Sequence, residues 1–358
     1  MDHYCYFVPS HVLAHIARVR ASEGLSPSTA QRSAVLSSQL RRSRSNLVTA
    51  DPTGLATADA TDTTAALAVQ SLQVPAPGTA GRLIYDDHNQ EQFDVQFVRG
   101  EGDPAAGEPN ADTAYDSLGQ VHAYYHDVLG RNSIDNAGLN LTANVNFGVE
   151  FNNAFWDGAR MVFGNGDNQI FKDLTGDLDV TAHELTHGVT QYTAALNYTN
   201  DQTGALNESF SDMFGSAIDA WANGRDADNH NWLIGDGIMA EGLAGEALRN
   251  MAEPGTAYDN PVMGRDSQPR DMTGYTDADP HLMSGIPNRW FYLICKEIGI
   301  PAGALIMYQT LLHLWPTAKF TDAALVASAQ ARILAQAKEV PAESAQVVRA
   351  AARQQGFW

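Results

Sequence analysis

The 358-residue chain contains little cysteine, little positive charge and no long apolar run. Its two cysteines, Cys5 and Cys295, lie in no CxxC or similar cluster, which argues against a disulfide framework, although one bridge between them stays open. No stretch of about 18 apolar residues occurs, so no membrane-spanning helix is predicted. The N-terminus also lacks a basic region followed by an apolar one, so no classical signal peptide is predicted.

The charge balance is strongly acidic, with 42 Asp and Glu against 22 Lys and Arg and a formal net charge of -20. Such a surface argues against nucleic acid or an anionic membrane as the main partner. It suits solubility and the binding of divalent cations. We therefore expect a soluble protein that is secreted without a classical signal peptide, with a cytoplasmic location as the alternative.

The N-terminal region differs from the rest of the chain in charge. Residues 1–45 carry six arginines against two carboxylates, a net charge of +4, so the other 313 residues carry -24. Helical periodicity predicts one or two amphipathic helices in HVLAHIARVRA and TAQRSAVLSSQLRR. The Ala-, Thr-, Asp- and Pro-rich stretch that follows is typical of a linker. We assign residues 1–50 to a basic segment, either a solvated tail or docked on the acidic body, and residues 51–80 to a linker.

Beyond residue 80 the sequence predicts a mixed half followed by a helical half, an α+β fold. RLIYDDHNQEQFDVQFVRG alternates as a β-hairpin does, and TAYDSLGQVHAYYHDVLG has helical periodicity. From ALNESFSDMFGSAIDAWA onwards, the long periodic segments indicate helices. No internal repeat is present.

The stretch DVTAHELTHGVTQY carries two histidines that flank a glutamate on a predicted helix, and it matches H-E-x-x-H. His183 and His187 are one turn apart on the same face, so both imidazoles can bind one tetrahedral zinc ion. Glu184 lies close to that face and can hold a water at the zinc without being a ligand. The same spacing occurs twice more without a glutamate, and these pairs are predicted to be ordinary helical histidines: His11 with His15, and His122 with His126.

A third protein ligand is needed, because a catalytic zinc takes three ligands and keeps one open position. GALNESFSDMFG supplies Glu208 on a predicted helix that starts after the turn-rich stretch NYTNDQTG. That stretch is long enough to reverse the chain, so Glu208 can face the two histidines. Asn207 and Asp212 flank Glu208 and can accept the remaining imidazole N–H groups, which would fix the ring orientations.

From about residue 81 to 358 the chain resembles the thermolysin-like family of zinc metallopeptidases, the gluzincins. The resemblance rests on NNAFWDG, DVTAHELTH, GALNESFSD, the ALRNM stretch and PHLMSGIPN. The N-terminal YFVPSHVL is similar to the short propeptide of the protealysin-like subgroup. This resemblance implies two domains, residues 81–198 with the HELTH helix and the helical residues 199–358 with the third zinc ligand. The active-site cleft would lie between them, with a short helical propeptide in front.

The resemblance also implies a role for each matching residue. Zinc would be bound by His183, His187 and Glu208. Glu184 would be the general base toward a zinc-bound water, and Tyr198 and His281 would donate hydrogen bonds to the oxyanion. The residues implied to hold the substrate backbone are Asn153, the Ala154 carbonyl and Arg249. The residues implied to form the hydrophobic pocket for the side chain after the scissile bond are Phe171, Leu174, Val180 and Leu248. Asn207 and Asp212 would orient the zinc histidines.

The chain departs from the family pattern in three places, the first being one extra residue between the zinc helix and Glu208. Before His281 it reads Thr-Asp-Ala-Asp-Pro, so either Asp277 or Asp279 could support that histidine. The family also binds calcium near the zinc helix, and the matching acidic positions are Asp179, Asp219 and Asp236. Asn231 and Leu233 stand where further acidic residues are common, which lowers the charge available to hard cations. We expect one calcium ion at most.

The leading hypothesis is a zinc metalloendopeptidase made as a proenzyme. It would act on peptides or proteins and prefer a bulky hydrophobic residue at P1′, the position after the scissile bond. Its own N-terminal segment would cover the cleft until the linker is cut. The alternative is a non-catalytic, zinc-stabilised binding module derived from such an enzyme, and an adhesion or scaffold role for the basic segment is a third possibility.

Overall fold

The computed structural model of the protein describes residues 5–22, 30–37 and 78–358. The predicted linker lies outside the described residues up to residue 77, as do residue 29 and residues 38–42 of the second predicted N-terminal helix. No helix in the described ranges has the length and apolar character needed to cross a membrane.

The first half is built on a six-stranded sheet in the order β1-β5-β6-β4-β2-β3. Strand β2 pairs with β4 in parallel, as β4 does with β6, and the remaining pairs are antiparallel. The predicted hairpin forms β2 and β3, with a register shift between Ile84 and Tyr85. The bounds of the strands are β1 Cys5–Tyr6, β2 Arg82–Asp86, β3 Gln96–Gly100, β4 Leu141–Val145, β5 Ala154–Trp156 and β6 Met161–Phe163.

The N-terminal segment supplies the edge strand β1 and two helices, α1 (Ser10–Ser22) and α2 (residues 30–37). We call residues 5–22 the arm. Its helix α1 buries Val12, Leu13 and Ile16, which belong to the same hydrophobic core as the rest of the molecule. A polar contact joins Arg20 to Gln169 at 2.8 Å. The arm is therefore docked on the body. Of the two alternatives for the N-terminal segment, a solvated tail and a docked segment, the structure shows the docked one for these residues.

Helices α3 (Pro109–Ala123) and α4 (Leu178–Gln191) pack against the sheet, and α5 (Gln202–Ala222) packs on α4. The predicted zinc ligands lie on α4 and α5. A π-helical turn, Tyr124–Val128, extends α3. Asp201 caps α5, because its side chain accepts hydrogen bonds from the backbone of Thr203 and Gly204. Helix α5 packs closely on α4 at Gly215, where an added Cβ would lie 3.2 Å from the Asp179 carbonyl oxygen.

The second half is mainly helical, and the fold prediction of a mixed half followed by a helical half is confirmed. Its helices enclose Cys295, which is a buried free thiol, so the possible bridge to Cys5 is not formed. The helices are α6 Pro280–Met283, α7 Gly285–Ile298, α8 Ile300–Leu311, α9 Phe320–Ala337 and α10 Ser344–Gln355. Two short antiparallel ribbons precede them: β7 Leu233–Ile234 with β8 Arg249–Asn250, and β9 Asp259–Asn260 with β10 Gly264–Arg265.

Candidate metal centre and cleft

Helices α4 and α5 bring the three predicted zinc ligands together. His183 and His187 present their Nε2 atoms to each other at 3.0 Å. The Glu208 carboxylate lies 3.4 Å from His183 Nε2 and 3.6 Å from His187 Nε2. All three residues are buried, and their donor atoms lie within 4.8 Å of one another.

The outer imidazole nitrogens have the partners that the sequence suggested. His183 Nδ1 is 2.8 Å from Asp212 Oδ1, and His187 Nδ1 is 2.8 Å from Asn207 Oδ1. Each Nδ1–H donates to these acceptors, so the Nε2 atoms of both rings face inward, where the neutral imidazoles could bind a metal. Arg249 in turn donates two hydrogen bonds to Asp212, at 2.7 and 2.8 Å.

This arrangement fits a zinc ion. Ligand atoms at 2.0–2.1 Å from a tetrahedral ion are separated by about 3.3 Å, close to the nitrogen and oxygen distances found here. Two Nε2 atoms at 3.0 Å need a positive charge between them, which either a proton or a metal ion can supply. Glu208 Oε2 is also buried with no hydrogen-bond donor among the described residues. Two imidazoles and a carboxylate form a donor set typical of catalytic zinc.

The electrostatics of the centre are set by burial and by the neighbouring charges. Burial alone would lower the pKa of His183, but Asp212 and Glu208 raise it to about 9. Burial opposes ionisation of Asp212, yet Arg249 and His183 hold its pKa at about 2. The pKa of Glu208 is likewise well below its usual range despite burial, because His281 and His187 face it. Glu208 and Asp212 therefore stay ionised although they are buried, and Glu208 can offer a carboxylate to a cation.

Glu184 is completely buried beside the two histidines. Its Oε2 accepts a hydrogen bond from the backbone N–H of Trp156 at 2.9 Å, whereas Oε1 has no hydrogen-bond partner among the described residues. Burial raises the pKa of Glu184 to about 8. One carboxylate oxygen is thus fixed by strand β5 and the other is available. The Trp156 contact could not be read from the sequence, because it links residues 28 positions apart.

Tyr198 and His281 reach the same centre from outside α4. The Tyr198 hydroxyl donates to Glu208 Oε1 at 2.6 Å, and His281 Nε2 lies 3.4 Å from Glu208 Oε2. Of the two candidates left open for supporting His281, Asp279 makes the contact, with Oδ1 2.9 Å from His281 Nδ1. Asp277 instead accepts a hydrogen bond from Tyr275.

The arm occupies the cleft in front of this centre. Strand β1 pairs antiparallel with β5, and beyond it Phe7 N–H donates to the Ala154 carbonyl at 3.0 Å. The side chain of Asn153 accepts from Val8 N–H at 2.8 Å and donates to the Val8 carbonyl at 3.2 Å. Arg249 donates to the Phe7 carbonyl at 3.3 Å. The three predicted substrate-backbone residues therefore contact the backbone of an extended peptide.

The Phe7 side chain is fully buried, and one of the four predicted pocket residues, Leu248, lies beside it. Its ring meets the His183 ring edge-on, with 5.2 Å between centroids. A Cβ added at Gly235 would lie 3.0 Å from Phe7 and 3.3 Å from Leu248, so these two side chains border one space. The predicted pocket residues are all buried in the core that includes Phe7: Phe171, Leu174, Val180 and Leu248. Gly235 was not predicted to border this space. A glycine acts here through the absence of a side chain, and the sequence alone does not show which glycines lie beside a pocket.

The acidic residues at the start of α4 differ in part from the predicted calcium set. Asp177, Asp179 and Asp236 form the group whose oxygens lie within 4.8 Å of one another. Asp219 does not belong to it and forms an ion pair with Arg225 at 3.0 Å. Asp177 takes its place because it directly precedes α4, beside Asp179. Burial, followed by the repulsion of Asp236, raises the pKa of Asp177 to about 6.

The fold and the centre together define a two-part protein with a metallopeptidase-type His-His-Glu site. Residues 36–191 match the family model of the thermolysin metallopeptidase catalytic domain, and residues 194–356 match that of its alpha-helical domain. The chain belongs to the thermolysin metallopeptidase family, which confirms the resemblance read from the sequence.

Individual relatives agree with this assignment. The extracellular metalloprotease of Pectobacterium carotovorum subsp. carotovorum is 45% identical over 232 residues, 63% of this chain and 66% of the relative. Thermolysin of Bacillus sp. (strain EA1) is 38% identical over 263 residues, 68% of this chain and 45% of the relative. The chain thus spans about two thirds of the first relative and less than half of the second. The precursor structure of protealysin, a metalloproteinase from Serratia proteamaculans, matches with a TM-score of 0.76 at 40% identity, covering 80% of this chain and 90% of that one.

Proposed function

We propose that the protein is a zinc-dependent endopeptidase made as a proenzyme, with residues 1–50 as its propeptide. The observation that carries the proposal is the peptide in the cleft. An extended segment lies along β5 with its backbone on Asn153, Ala154 and Arg249, directly in front of His183. A peptide substrate could bind by the same strand addition. While the arm is docked, that place is taken, so removal of the arm would activate the enzyme.

His183, His187 and Glu208 would hold the zinc ion, which supplies polarisation of the peptide carbonyl and a lowered pKa of water when bound. Glu184 would accept a proton from the attacking water on its free Oε1 and deliver it to the leaving amine. Tyr198 and His281 would donate hydrogen bonds to the carbonyl oxygen as it gains negative charge. Asp212 and Asn207 would keep the two imidazole rings oriented.

The pocket that holds Phe7 supports a preference for a bulky hydrophobic residue at P1′. Phe7 donates its N–H to Ala154 and presents its carbonyl to Arg249, as a residue just after the scissile bond would. The residues predicted to form the pocket are apolar, and the nearby Arg249 guanidinium, 5.2 Å from the Phe7 ring centroid, is already held by Asp212. A charged P1′ side chain would therefore lose its hydration without gaining a free partner. Peptides with Phe or Leu at P1′ should therefore be cut fastest.

Calcium and secretion complete the proposal. Asp177, Asp179 and Asp236 would bind a single calcium ion at the start of α4, and equilibrium dialysis should find no second ion there. The relative from Pectobacterium is named an extracellular metalloprotease, which supports secretion of this chain as well. Substrates would be peptides or proteins, and the acidic surface disfavours nucleic acid.

The central test compares Glu184→Ala with the matched surface variant Glu241→Ala. The Glu184→Ala protein should keep its zinc, because Glu184 is not a ligand, but lose casein hydrolysis and removal of its own N-terminal segment. The Glu241→Ala protein should behave as the wild type does, because Glu241 is exposed and has no role in the proposed mechanism. Hydrolysis at the wild-type rate by Glu184→Ala would contradict the mechanism. Bound zinc without casein hydrolysis in the wild type would favour the non-catalytic binding module.

A further inference from the structure

We propose that the Tyr6–Phe7 peptide bond is a processing site, hydrolysed in cis by the chain's own catalytic centre. This inference rests on the proposed function and adds a cut inside the arm itself, separate from cleavage of the linker. It follows from the register of the arm, the position of one carbonyl group and the pockets that hold the two side chains.

The hydrogen bonds fix the register of the arm to a single peptide unit. Cys5 and Tyr6 pair with Trp156 and Phe155 on the edge of the sheet. Phe7 and Val8 then donate their N–H groups to the Ala154 carbonyl and to Asn153. Pro9 has no N–H to donate, and it follows Phe7 and Val8, whose N–H groups make these two hydrogen bonds. The proline therefore removes no hydrogen bond from this register.

The carbonyl group that faces the reacting centre is that of Tyr6. Its oxygen accepts a hydrogen bond from His281 Nε2 at 2.8 Å, and the same nitrogen lies 3.4 Å from Glu208 Oε2. The next carbonyl, of Phe7, is turned to Arg249 instead. The bond between Tyr6 and Phe7 is therefore the one whose carbonyl meets an oxyanion donor and whose nitrogen is held by strand β5.

Both side chains that flank this bond are enclosed. Phe7 fills the pocket beside His183, and Tyr6 is buried in an aromatic cluster with Phe155, whose ring centroid is 5.1 Å away. That cluster also contains Phe147 and Phe151. A slip of the arm by one residue would reverse the facing of every side chain and empty both spaces. The register is thus held from both sides of the bond.

Hydrolysis here is balanced by one water molecule. The water oxygen forms a bond to the Tyr6 carbonyl carbon, and the bond to the Phe7 nitrogen breaks. Glu184 transfers one water proton to that nitrogen, and the second water proton, left on the new carboxyl group, then passes to the amine. The products are the Tyr6 carboxylate and the Phe7 ammonium group. Helix α1 stays anchored by Val12, Leu13 and Ile16, so the cut would remove residues 1–6 while Phe7 remains in its pocket.

The experiment uses the full chain, prepared without metal as wild type, Glu184→Ala, Phe7→Leu and Phe7→Asp. Hydrogen exchange of the Phe7 amide is measured first in the wild type and Glu184→Ala, and slow exchange is expected in both because Ala154 accepts that hydrogen bond. Zinc is then added at several protein concentrations, and the chains are followed by intact mass and by tagging of new N-terminal amines. Casein hydrolysis by Phe7→Asp, whose arm should leave the cleft, reports peptidase activity separately.

We expect the wild type to lose residues 1–6 and gain Phe7 as a new N-terminus, at a rate independent of protein concentration. Phe7→Leu should be cut at the same bond. Glu184→Ala should remain intact. Phe7→Asp should be cut at least about a hundredfold more slowly, because a carboxylate would be buried beside Leu248 while the neighbouring Arg249 guanidinium is already held by Asp212. Casein hydrolysis with an intact Tyr6–Phe7 bond in the wild type overturns this inference and leaves the proposed function standing. A fast-exchanging Phe7 amide or a rate that rises with protein concentration also overturns it, and absence of casein hydrolysis by Phe7→Asp counts against the proposed function itself.

Discussion

Replacing Phe7 by alanine should release the arm from the cleft. The Phe7 side chain has no exposed surface, and it packs against the His183 ring and beside Leu248. The backbone hydrogen bonds of the arm do not involve this side chain, so they remain possible in the variant. The change therefore isolates the apolar contribution of a single residue to docking.

The size of the effect follows from the burial. Truncation of a fully buried phenylalanine to alanine costs about 3–5 kcal/mol, from lost transfer free energy and from the cavity left behind. At roughly 1.4 kcal/mol for each tenfold change, the docking equilibrium should fall by about two to three and a half orders of magnitude. The smaller loss of docking free energy applies if neighbouring side chains move into the cavity left by the Phe7 ring.

Docking can be measured by trypsin cleavage at Arg18, an exposed residue of α1, in a Glu184→Ala background that prevents self-processing. Cleavage of a transiently opened segment follows the population of the open form when closing is faster than cutting. Phe7→Ala should therefore be cut faster by the same orders of magnitude. Val35→Ala on α2 is the control, because Val35 is 47% exposed and should change the rate little. Equal cleavage rates for Phe7→Ala and the control would refute the idea that burial of the Phe7 side chain supplies most of the docking free energy.

Other predictions test the remaining parts of the site. Asp177→Asn should lose most of the calcium-induced rise in Tm, measured by calorimetry, whereas Asp219→Asn should keep it. The pKa of Asp177 is raised to about 6 in the folded state, so the metal-free folded protein binds a proton more tightly than the unfolded chain does. The Tm of the metal-free protein should therefore fall as the pH rises from about 4 to 6. Added calcium should reverse this loss at pH 7. Tyr198→Phe should lower kcat by about 10²–10³-fold with zinc content unchanged, and an unchanged kcat would exclude Tyr198 as an oxyanion donor. Gly235→Ala should reduce the kcat/KM ratio of Phe over Ala peptides at P1′ by about tenfold or more. Gly224→Ala is its control, because both glycines have positive φ but only Gly235 borders the pocket.

The sequence was most informative where the helical repeat alone decides which residues meet. His183, Glu184 and His187 share a helix, and Asn207, Glu208 and Asp212 share the next, so only one chain reversal had to be predicted correctly. The two other histidine pairs show that spacing is insufficient. His122 and His126 stack with centroids 5.7 Å apart, but they are not part of the metal-type groups found among the described residues.

Contacts between distant parts of the chain could not be predicted in this way. Asp279 rather than Asp277 meets His281 because Asp279 caps α6, a geometry that depends on where that helix begins. Asn288 on α7 donates to Asp212 across 76 positions, and nothing in the local sequence indicates it. The residues that complete the site therefore depend on tertiary packing, whereas the residues that begin it depend on local periodicity.

The driving force for docking of the arm is also different from the one that the sequence suggested. Opposite charge was the reason to expect docking, yet the described arm contributes mainly buried apolar side chains and backbone hydrogen bonds. Arg20 lies 3.9 Å from Asp167, a separation at which a partly exposed ion pair adds little to stability. Salt should consequently change docking much less than truncation of Phe7 does.

Arg249 connects recognition of the peptide to the geometry of the zinc histidines. It holds Asp212 with two hydrogen bonds and, through a third nitrogen contact, the Phe7 carbonyl. Asp212 in turn orients His183. Because Arg249 is buried and Asp212 also accepts from Asn288, the guanidinium cannot move toward one partner without weakening the other. Under the proposed function, a peptide whose P1′ carbonyl lay on Arg249 would act on the same network that orients His183, the proposed metal ligand. Correct placement of the substrate would thus be coupled to the reacting centre.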